Sequence, residues 1–432
     1  MRLQRIIAKM RIAVSSRSLR IVGIEMAFIE ADNPFTLYGR WNALRAMDRD
    51  GNELGLIPAH DGDFFPESVL DYVEALRTAF AAGNTEPLPP LRVDIDITQV
   101  CNARCTFCFS RPYQIEGYRG QWIRTDTLTS LIAELGTLGT RTVRFCGGGD
   151  PMIYPEIEHV LPLIHCADMR LCVISNLDFI NDRISNLILE HVDHLRWSVN
   201  AATDATRIAI HRPHSGANLL SETIARVERL VVKREGFGTG ERRPMIWATY
   251  LILPENVDEI VLSAQTMRTV GVDSISFRPV YHGLGGQWST DALARLSEQL
   301  GKVAELDDHP RFSVFTPKRF ILDAGELNPN DHFDLCISRR VRTVLEANSS
   351  GVALQSCGTY RGSGPHPLLV FGEGERFGAI WQRTHNHAIP PDAPTGCIRC
   401  IDVSMNVTLT LIAGILNRDP DATFKQVLLP SY

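Results

Sequence analysis

The chain has 432 residues, enough for two or three domains, and its 44% hydrophobic and 22% charged content is that of an ordinary globular protein. A formal net charge of -6 with no long basic block argues against nucleic acid as the main partner, because phosphate binding needs clustered Lys and Arg. The best candidate for an apolar span, Val407–Leu416, is about half the roughly 20 residues that a bilayer-crossing helix requires, so no membrane partner is expected.

The N-terminus is basic, with Arg2, Arg5, Lys9, Arg11, Arg17 and Arg20 before the first acid, Glu25. Its apolar and β-branched runs, Ile6–Ile7 and Ile12–Val14, look more like strands than an amphipathic transit helix, and no secretory apolar region follows. A cytoplasmic protein is the expectation. Leu19–Ile29 and Leu54–Ile57 are strand-like and Pro66–Ala81 has a helical pattern, so residues 1–86 read as a small α+β segment and a candidate for substrate recognition. Glu86–Pro90, a Pro-rich stretch, is a linker because proline continues neither a helix nor a central strand.

From Leu91 strands and helices alternate. Val93–Thr98, Thr142–Cys146, Arg170–Ser175, Leu195–Val199, Met245–Leu253 and Ser274–Phe277 read as strands. Thr125–Leu138, Pro155–Ala167, Asp182–Glu190, Leu219–Lys233, Val257–Val270 and Thr290–Leu306 read as helices, with Thr125 or Asp126 as a cap of the first. Six βα units in series predict an α/β fold over 91–310, a partial (β/α)6 TIM-like barrel with right-handed crossovers, whose chemistry lies at the carboxyl ends of the strands. From about 312 the alternation fades. Arg342–Ala347 and Val352–Gln355 form a predicted β-hairpin and Val403–Asn417 a helix, so 312–432 reads as a hairpin-and-helix domain.

Ten cysteines without a signal peptide point to metal ligation or catalysis rather than disulfides, since cytosolic thiols stay reduced. Cys101, Cys105 and Cys108 form a C-x3-C-x2-C triplet in the loop after the first barrel strand. Three thiolates alone leave a tetrahedral zinc site one ligand short, but they can hold three irons of a [4Fe–4S] cube and leave the fourth iron open. A zinc knuckle that borrows a distant fourth ligand is the competing reading.

With Phe107 as the aromatic before the last cysteine, the triplet resembles the signature of the radical S-adenosylmethionine (SAM) superfamily. The resemblance implies that SAM chelates the open iron and is cleaved reductively to a 5′-deoxyadenosyl radical, with a flavodoxin or ferredoxin-type protein as electron donor. Gly148, Gly149, Asp150 and Pro151, at the end of the second strand, resemble the family's Gly-Gly-Glu-Pro motif that binds the SAM amino end, with Asp150 in place of the usual Glu. The glycines suit close approach of a ligand to bare backbone. Ser175, at the third strand end, corresponds to a polar residue near the SAM ribose. Ser198 and Arg212 lie in segments resembling two further motifs and would face the SAM carboxylate, with Asn200 where the first motif has Asp. Ser175 and Ser198 can equally be read as loop caps.

Cys336, Cys357, Cys397 and Cys400 form a second set. Their spacing permits an auxiliary Fe–S cluster or structural zinc. The run from Gly351 to Cys357 resembles the hairpin of SPASM or twitch domains, which implies one auxiliary [4Fe–4S] cluster. Cys146 adjoins the glycine motif, so it is a candidate hydrogen donor as well as a candidate packing residue; Cys166 and Cys172 read as buried small hydrophobes.

The functional expectation is therefore hydrogen abstraction from a peptide or a sugar or aminocyclitol substrate in natural-product biosynthesis, followed by oxidation through the auxiliary cluster. A redox-neutral epimerase or isomerase using Cys146, and a non-catalytic zinc scaffold, are the alternatives.

Overall fold

A computed structural model describes residues 37–38, 41–58, 66–81, 88–108, 110, 121–214, 219–237, 244–280, 286–317, 341–348, 351–355, 369–371, 374–387 and 403–429. The described residues open with strands β1 (Leu37–Tyr38), β2 (Trp41–Met47) and β3 (Glu53–Pro58), then helix α1 (Pro66–Ala81). The barrel series follows: β4 (Arg92–Asp96), α2 (Thr125–Leu138), β5 (Thr142–Phe145), α3 (Ile157–Cys166), β6 (Arg170–Ser175), α4 (Asp182–His191) and β7 (His194–Ser198). It continues with α5 (Asp204–His211), α6 (Leu220–Gly236), β8 (Met245–Ile252), α7 (Ile260–Val270), β9 (Ser274–Pro279), α8 (Thr290–Ala304) and β10 (Ser313–Pro317). Strands β11 (Arg342–Asn348), β12 (Gly351–Gln355) and β13 (Leu369–Phe371), helices α9 (Phe377–His387) and α10 (Val403–Arg418), and β14 (Thr423–Leu429) complete it.

The central sheet has eleven strands in the order β1-β10-β9-β8-β7-β6-β5-β4-β11-β12-β13. Every neighbouring pair from β11 through β4 to β10 is parallel. The six expected βα units are present and the α/β assignment holds. A seventh parallel strand, β10, joins one edge, and the expected hairpin β11–β12 joins the other by pairing with β4. Among the described residues the two edges do not pair with each other, so the barrel is open.

Alternation along β4 divides its residues between two faces, and both are buried. In β4 the odd residues Val93 and Ile95 pack with Val143, Phe145, Leu171 and Val173 of the next strands and with Leu128, Leu131, Ile132 and Leu135 of α2. Those α2 positions fall at i, i+3, i+4 and i+7, one apolar stripe. Gly139, at φ +89°, ends α2 by donating to Gly136, a left-handed stop that a side chain would disfavour. Helix α2 starts after Arg124, whose side chain makes no cap; Asp126 sits inside the first turn. The even residues of β4 face the opposite, concave side. There Asp94 is ion-paired with Arg92 and Arg144, all three buried.

Near the amino ends of β4, β6 and β11, a second layer covers the barrel. β14, β2 and β3 form a small antiparallel sheet joining the chain's two outer regions. Leu44, Tyr72, Val73 and Leu76 pack with Leu409, Ile412, Ile415 and Leu416 of α10, and with Leu91 and Val341 just before β4 and β11. Asp71 of α1 is ion-paired with Arg170, the first residue of β6. The apolar run Val407–Leu416 is thus a core helix segment, and among the described residues no helix is long and apolar enough to cross a membrane.

Candidate functional site

The triplet lies on the loop that leaves the carboxyl end of β4. Cys101, Cys105 and Cys108 are each half-buried. Burial pushes the Cys101 thiol up to about 12, with the Asp150 carboxylate and Cys108 adding to it. Cys105 is raised well above the usual thiol range by burial first and then by Cys108 and Cys101. The three sulfurs therefore stand near enough to oppose one another's ionisation. The loop is pinned by pairing with residues 210–214: Arg104 N donates to His211 O (3.0 Å), Thr106 N to Ile210 O (2.8 Å) and His214 N to Asn102 O (2.9 Å). Phe107 is buried against Ile210, Leu253 and Val280.

The glycine motif packs against the same loop. Gly149 N donates to Thr98 O (2.7 Å) and Asp150 N to Val100 O (2.9 Å). A Cβ on Gly149 would lie 1.8 Å from Val100 O, and one on Gly148, at φ +73°, would lie 2.6 Å from Gln99 Oε1. These glycines, expected to let a ligand approach, instead have the segment just before Cys101 as their close neighbour: the Val100 backbone for Gly149, and the Gln99 side chain and Thr98 carbonyl for Gly148. Pro151 begins a short 3-10 turn, Pro151–Ile153, capped by the Asp150 side chain, which accepts from Met152 N at 2.9 Å.

Asp150 heads a chain of buried polar groups. Its carboxylate also accepts from Ser175 Oγ (2.8 Å) and Asn176 N (2.7 Å). Asn176 Nδ2 donates to Asn102 Oδ1 (2.7 Å), and Asn102 Nδ2 donates to Asp178 Oδ2 (2.7 Å). Asp178 Oδ1 receives the Thr223 hydroxyl (2.7 Å) and pairs with the buried guanidinium of Arg207. Burial dominates at Asp150 and raises its carboxyl from 3.8 to about 6 despite these donors. The Ser175 hydroxyl is thus committed to Asp150. Asn102, Asn176, Asp178, Arg207 and Thr223 have no role in the sequence analysis; the signal available was only that Asn and Asp cluster at the ends of predicted strands.

The other sequence candidates are more scattered. Ser198 is half-buried at the end of β7, opposite Thr249. Arg212 is exposed and left-handed at the end of α5, with Nε 3.4 Å from Ala209 O. Cys146 is buried on the concave side, its Sγ 3.6 Å from Asp96 Oδ1. Cys172 is buried as expected, whereas Cys166 is exposed. Cys336, Cys357, Cys397 and Cys400 lie outside the described residues.

His211, next to Arg212 in the chain, touches the triplet. His211 Nδ1 lies 3.4 Å from Cys105 Sγ, and its ring meets Phe107 edge-on at 5.4 Å. Burial, then the Arg207 charge, holds His211 down at about 3, with the Val199 carbonyl pulling the other way. Its Nε2 faces Asn200 Nδ2 at 3.4 Å.

Among the described residues no three Cys, His, Asp or Glu side chains converge on a point suited to one metal ion. The donor chemistry instead fits a cluster: three half-buried thiols, mutually repelling as thiolates, each able to take its own iron corner.

Residues 95–267 match the family profile of the Radical SAM superfamily. A GTP 3′,8-cyclase of Stenotrophomonas maltophilia (strain R551-3) is 26% identical over 73 residues, 17% of this chain and 22% of that protein. An S-adenosylmethionine-dependent nucleotide dehydratase of Flammeovirga pacifica is 22% identical over 198 residues, 40% of this chain and 68% of that protein. The chain thus spans only part of these relatives. Among solved structures, Streptococcus suis SuiB bound to precursor peptide SuiA superposes with TM-score 0.52 at 12% identity, over 75% of this chain and 71% of SuiB. At that identity the likeness is one of fold.

Proposed function

We propose, from the premise that residues 95–267 form a radical SAM domain, that the chain abstracts a hydrogen atom from a peptide or a sugar-like substrate at the carboxyl end of its barrel. The observation that carries this reading is the clustering of Cys101, Cys105 and Cys108 at the end of β4, against the Gly148–Gly149 loop. When bound there, the cluster supplies the electron that cleaves SAM to methionine and a 5′-deoxyadenosyl radical.

The chain's own residues hold and orient. Cys101, Cys105 and Cys108 would ligate three irons. Phe107 and its apolar neighbours exclude water from one side. The Asp150–Ser175–Asn176–Asn102–Asp178 chain fixes the loop so that the sulfurs do not spread. Ser198 and Arg212 are assigned to the SAM carboxylate by resemblance, and an electron donor of the flavodoxin or ferredoxin class would supply the reducing equivalent. Cys336, Cys357, Cys397 and Cys400 are assigned to an auxiliary [4Fe–4S] cluster that takes the second electron. The peptide option is supported by the likeness in fold to SuiB, crystallised with a precursor peptide. Of residues 1–86, β2 and α1 pack at the other end of the strands from Cys101 and are assigned a supporting role, whereas β1 pairs with the carboxyl end of β10, the part of the segment to which substrate recognition is assigned.

The test is anaerobic reconstitution followed by reduction with SAM present. About eight irons per chain and formation of 5′-deoxyadenosine are expected; about four would remove the auxiliary cluster. Cys105→Ala should abolish 5′-deoxyadenosine. A wild-type chain that takes up iron and leaves SAM intact, even with peptide and sugar substrates supplied, overturns the reading. Cys146→Ala separates oxidation from a redox-neutral reaction, since only the latter would lose its product.

A further inference from the structure

We infer that His211 donates a hydrogen bond from Nδ1 to the sulfur of Cys105 and so raises the reduction potential of the cluster held by the triplet. This rests on the cluster reading above and assigns a positioning residue to it.

The contact is built from both sides. Cys105 Sγ and His211 Nδ1 are 3.4 Å apart, an ordinary N–H···S separation. The two residues lie on paired segments, with Arg104 N donating to His211 O (3.0 Å) and Thr106 N to Ile210 O (2.8 Å) on either side of Cys105. The ring is 2% exposed and wedged edge-on against Phe107, so it has little room to turn.

Which nitrogen carries the proton follows from its neighbours. Asn200 Oδ1 accepts from Leu251 N at 2.8 Å, so the other arm of that amide, the NH2, is the one 3.4 Å from His211 Nε2. An amide nitrogen only donates, which makes Nε2 the acceptor and places the ring proton on Nδ1. Asn200 is held in place by its left-handed backbone (φ 50°) and by Asn256 Nδ2, which donates to its carbonyl at 2.9 Å. The sulfur side gives the same answer. A metal-bound thiolate has no proton and only accepts, so the nitrogen facing it must be N–H. The opposite tautomer, with the ring proton on Nε2, would set a nitrogen lone pair against the sulfur lone pairs.

Reduction adds negative charge to the cluster and its sulfurs, and an N–H aimed at one of them stabilises the reduced state more than the oxidised one. Removing the donor should lower the potential without removing a ligand.

The test is a redox titration of the anaerobically reconstituted full chain, free of SAM, followed by electron paramagnetic resonance of the reduced cluster, with iron content measured on each sample. His211→Leu should shift the reduced-to-oxidised ratio at a fixed potential about tenfold towards oxidised, equivalent to about 59 mV for one electron. His211→Asn puts an amide nitrogen where Nδ1 stood and should restore most of the shift. His211→Gln puts it where Nε2 stood and should not, and it also serves if the Leu variant does not fold. Wild-type potentials in iron-loaded Leu and Gln variants overturn the inference. A wild-type chain that takes up no iron overturns the cluster reading instead, so the two failures are distinguishable.

Discussion

At the amino ends of β4 and β11, Leu91 and Val341 meet Tyr72, Leu409 and Ile412 in an apolar cluster. At the carboxyl end of β4, Asn102 sits in a run of buried carboxylates, amides, hydroxyls and one guanidinium that reaches from Asp150 to Arg207. Apolar contact is non-directional, so many side chains of similar volume serve it. A buried hydrogen-bond chain is directional: each donor faces one acceptor, and a deletion leaves the partner desolvated and unsatisfied. The cap can therefore change composition and keep its function, whereas the site depends on individual residues.

The largest effect expected from this contrast is at Gly149. A methyl group there meets Val100 O at 1.8 Å and Val100 N at 2.6 Å, and backbone cannot swing aside as a side-chain tip can. Gly149→Ala should displace the cysteine loop, cost about 3 kcal/mol, and leave the reconstituted protein nearly without iron. Gly301, in α8, has nothing within 4 Å of its would-be Cβ, so Gly301→Ala should be neutral or stabilising by up to about 1 kcal/mol with normal iron. Iron content per chain, measured on both, decides. Full iron in Gly149→Ala would mean that the loop is not held by this contact.

Next comes a pair of substitutions at the two ends. Arg207→Met leaves Asp178 buried without its ion-pair partner and should cost about 3–5 kcal/mol. Leu409→Ala empties a buried position in the cap and should cost about 2–5 kcal/mol. The stability losses overlap; iron uptake should separate them, falling in Arg207→Met and holding in Leu409→Ala at a temperature where both are folded. Equal iron in the two variants would break the comparison.

The same contrast explains what the sequence made legible. Strands β4 to β9 announced themselves as short apolar and β-branched runs between helical patterns, a local signal, and Pro66–Ala81 is bounded in the structure as its pattern suggested. The pairing of β11 with β4 was not legible, because Arg342 and Arg92 are 250 positions apart and nothing in either strand names its neighbour. In the site, the triplet and the glycines were visible by spacing. The bond from Asn102 to Asp178 spans 76 positions and Thr223 to Asp178 spans 45, so no short window contains the network. Gly149 shows the intermediate case: the need for glycine could be read, while the backbone it accommodates could not.

The smallest effect is the pH dependence of Asp150. Its carboxyl is raised to about 6 in the fold from 3.8, because burial outweighs the donors from Asn176, Met152 and Ser175. The folded chain thus holds this proton more tightly than the unfolded one. Below 3.8 the group is protonated in both states and carries no penalty. Between 3.8 and 6 the unfolded chain ionises first, so stability falls as pH rises, and above 6 the penalty is constant. A shift of about 2 units corresponds to roughly 3 kcal/mol. Asp150→Asn cannot ionise and removes this step, although it also loses an acceptor and starts from a lower baseline. Denaturation of both metal-free proteins at pH 4 and pH 7 should show wild type losing up to about 3 kcal/mol more than the variant across that interval. A difference that stays flat would mean that the three donors, rather than burial, govern this carboxyl, and that the carboxyl end of the barrel holds its charge as cheaply as its hydrogen bonds suggest.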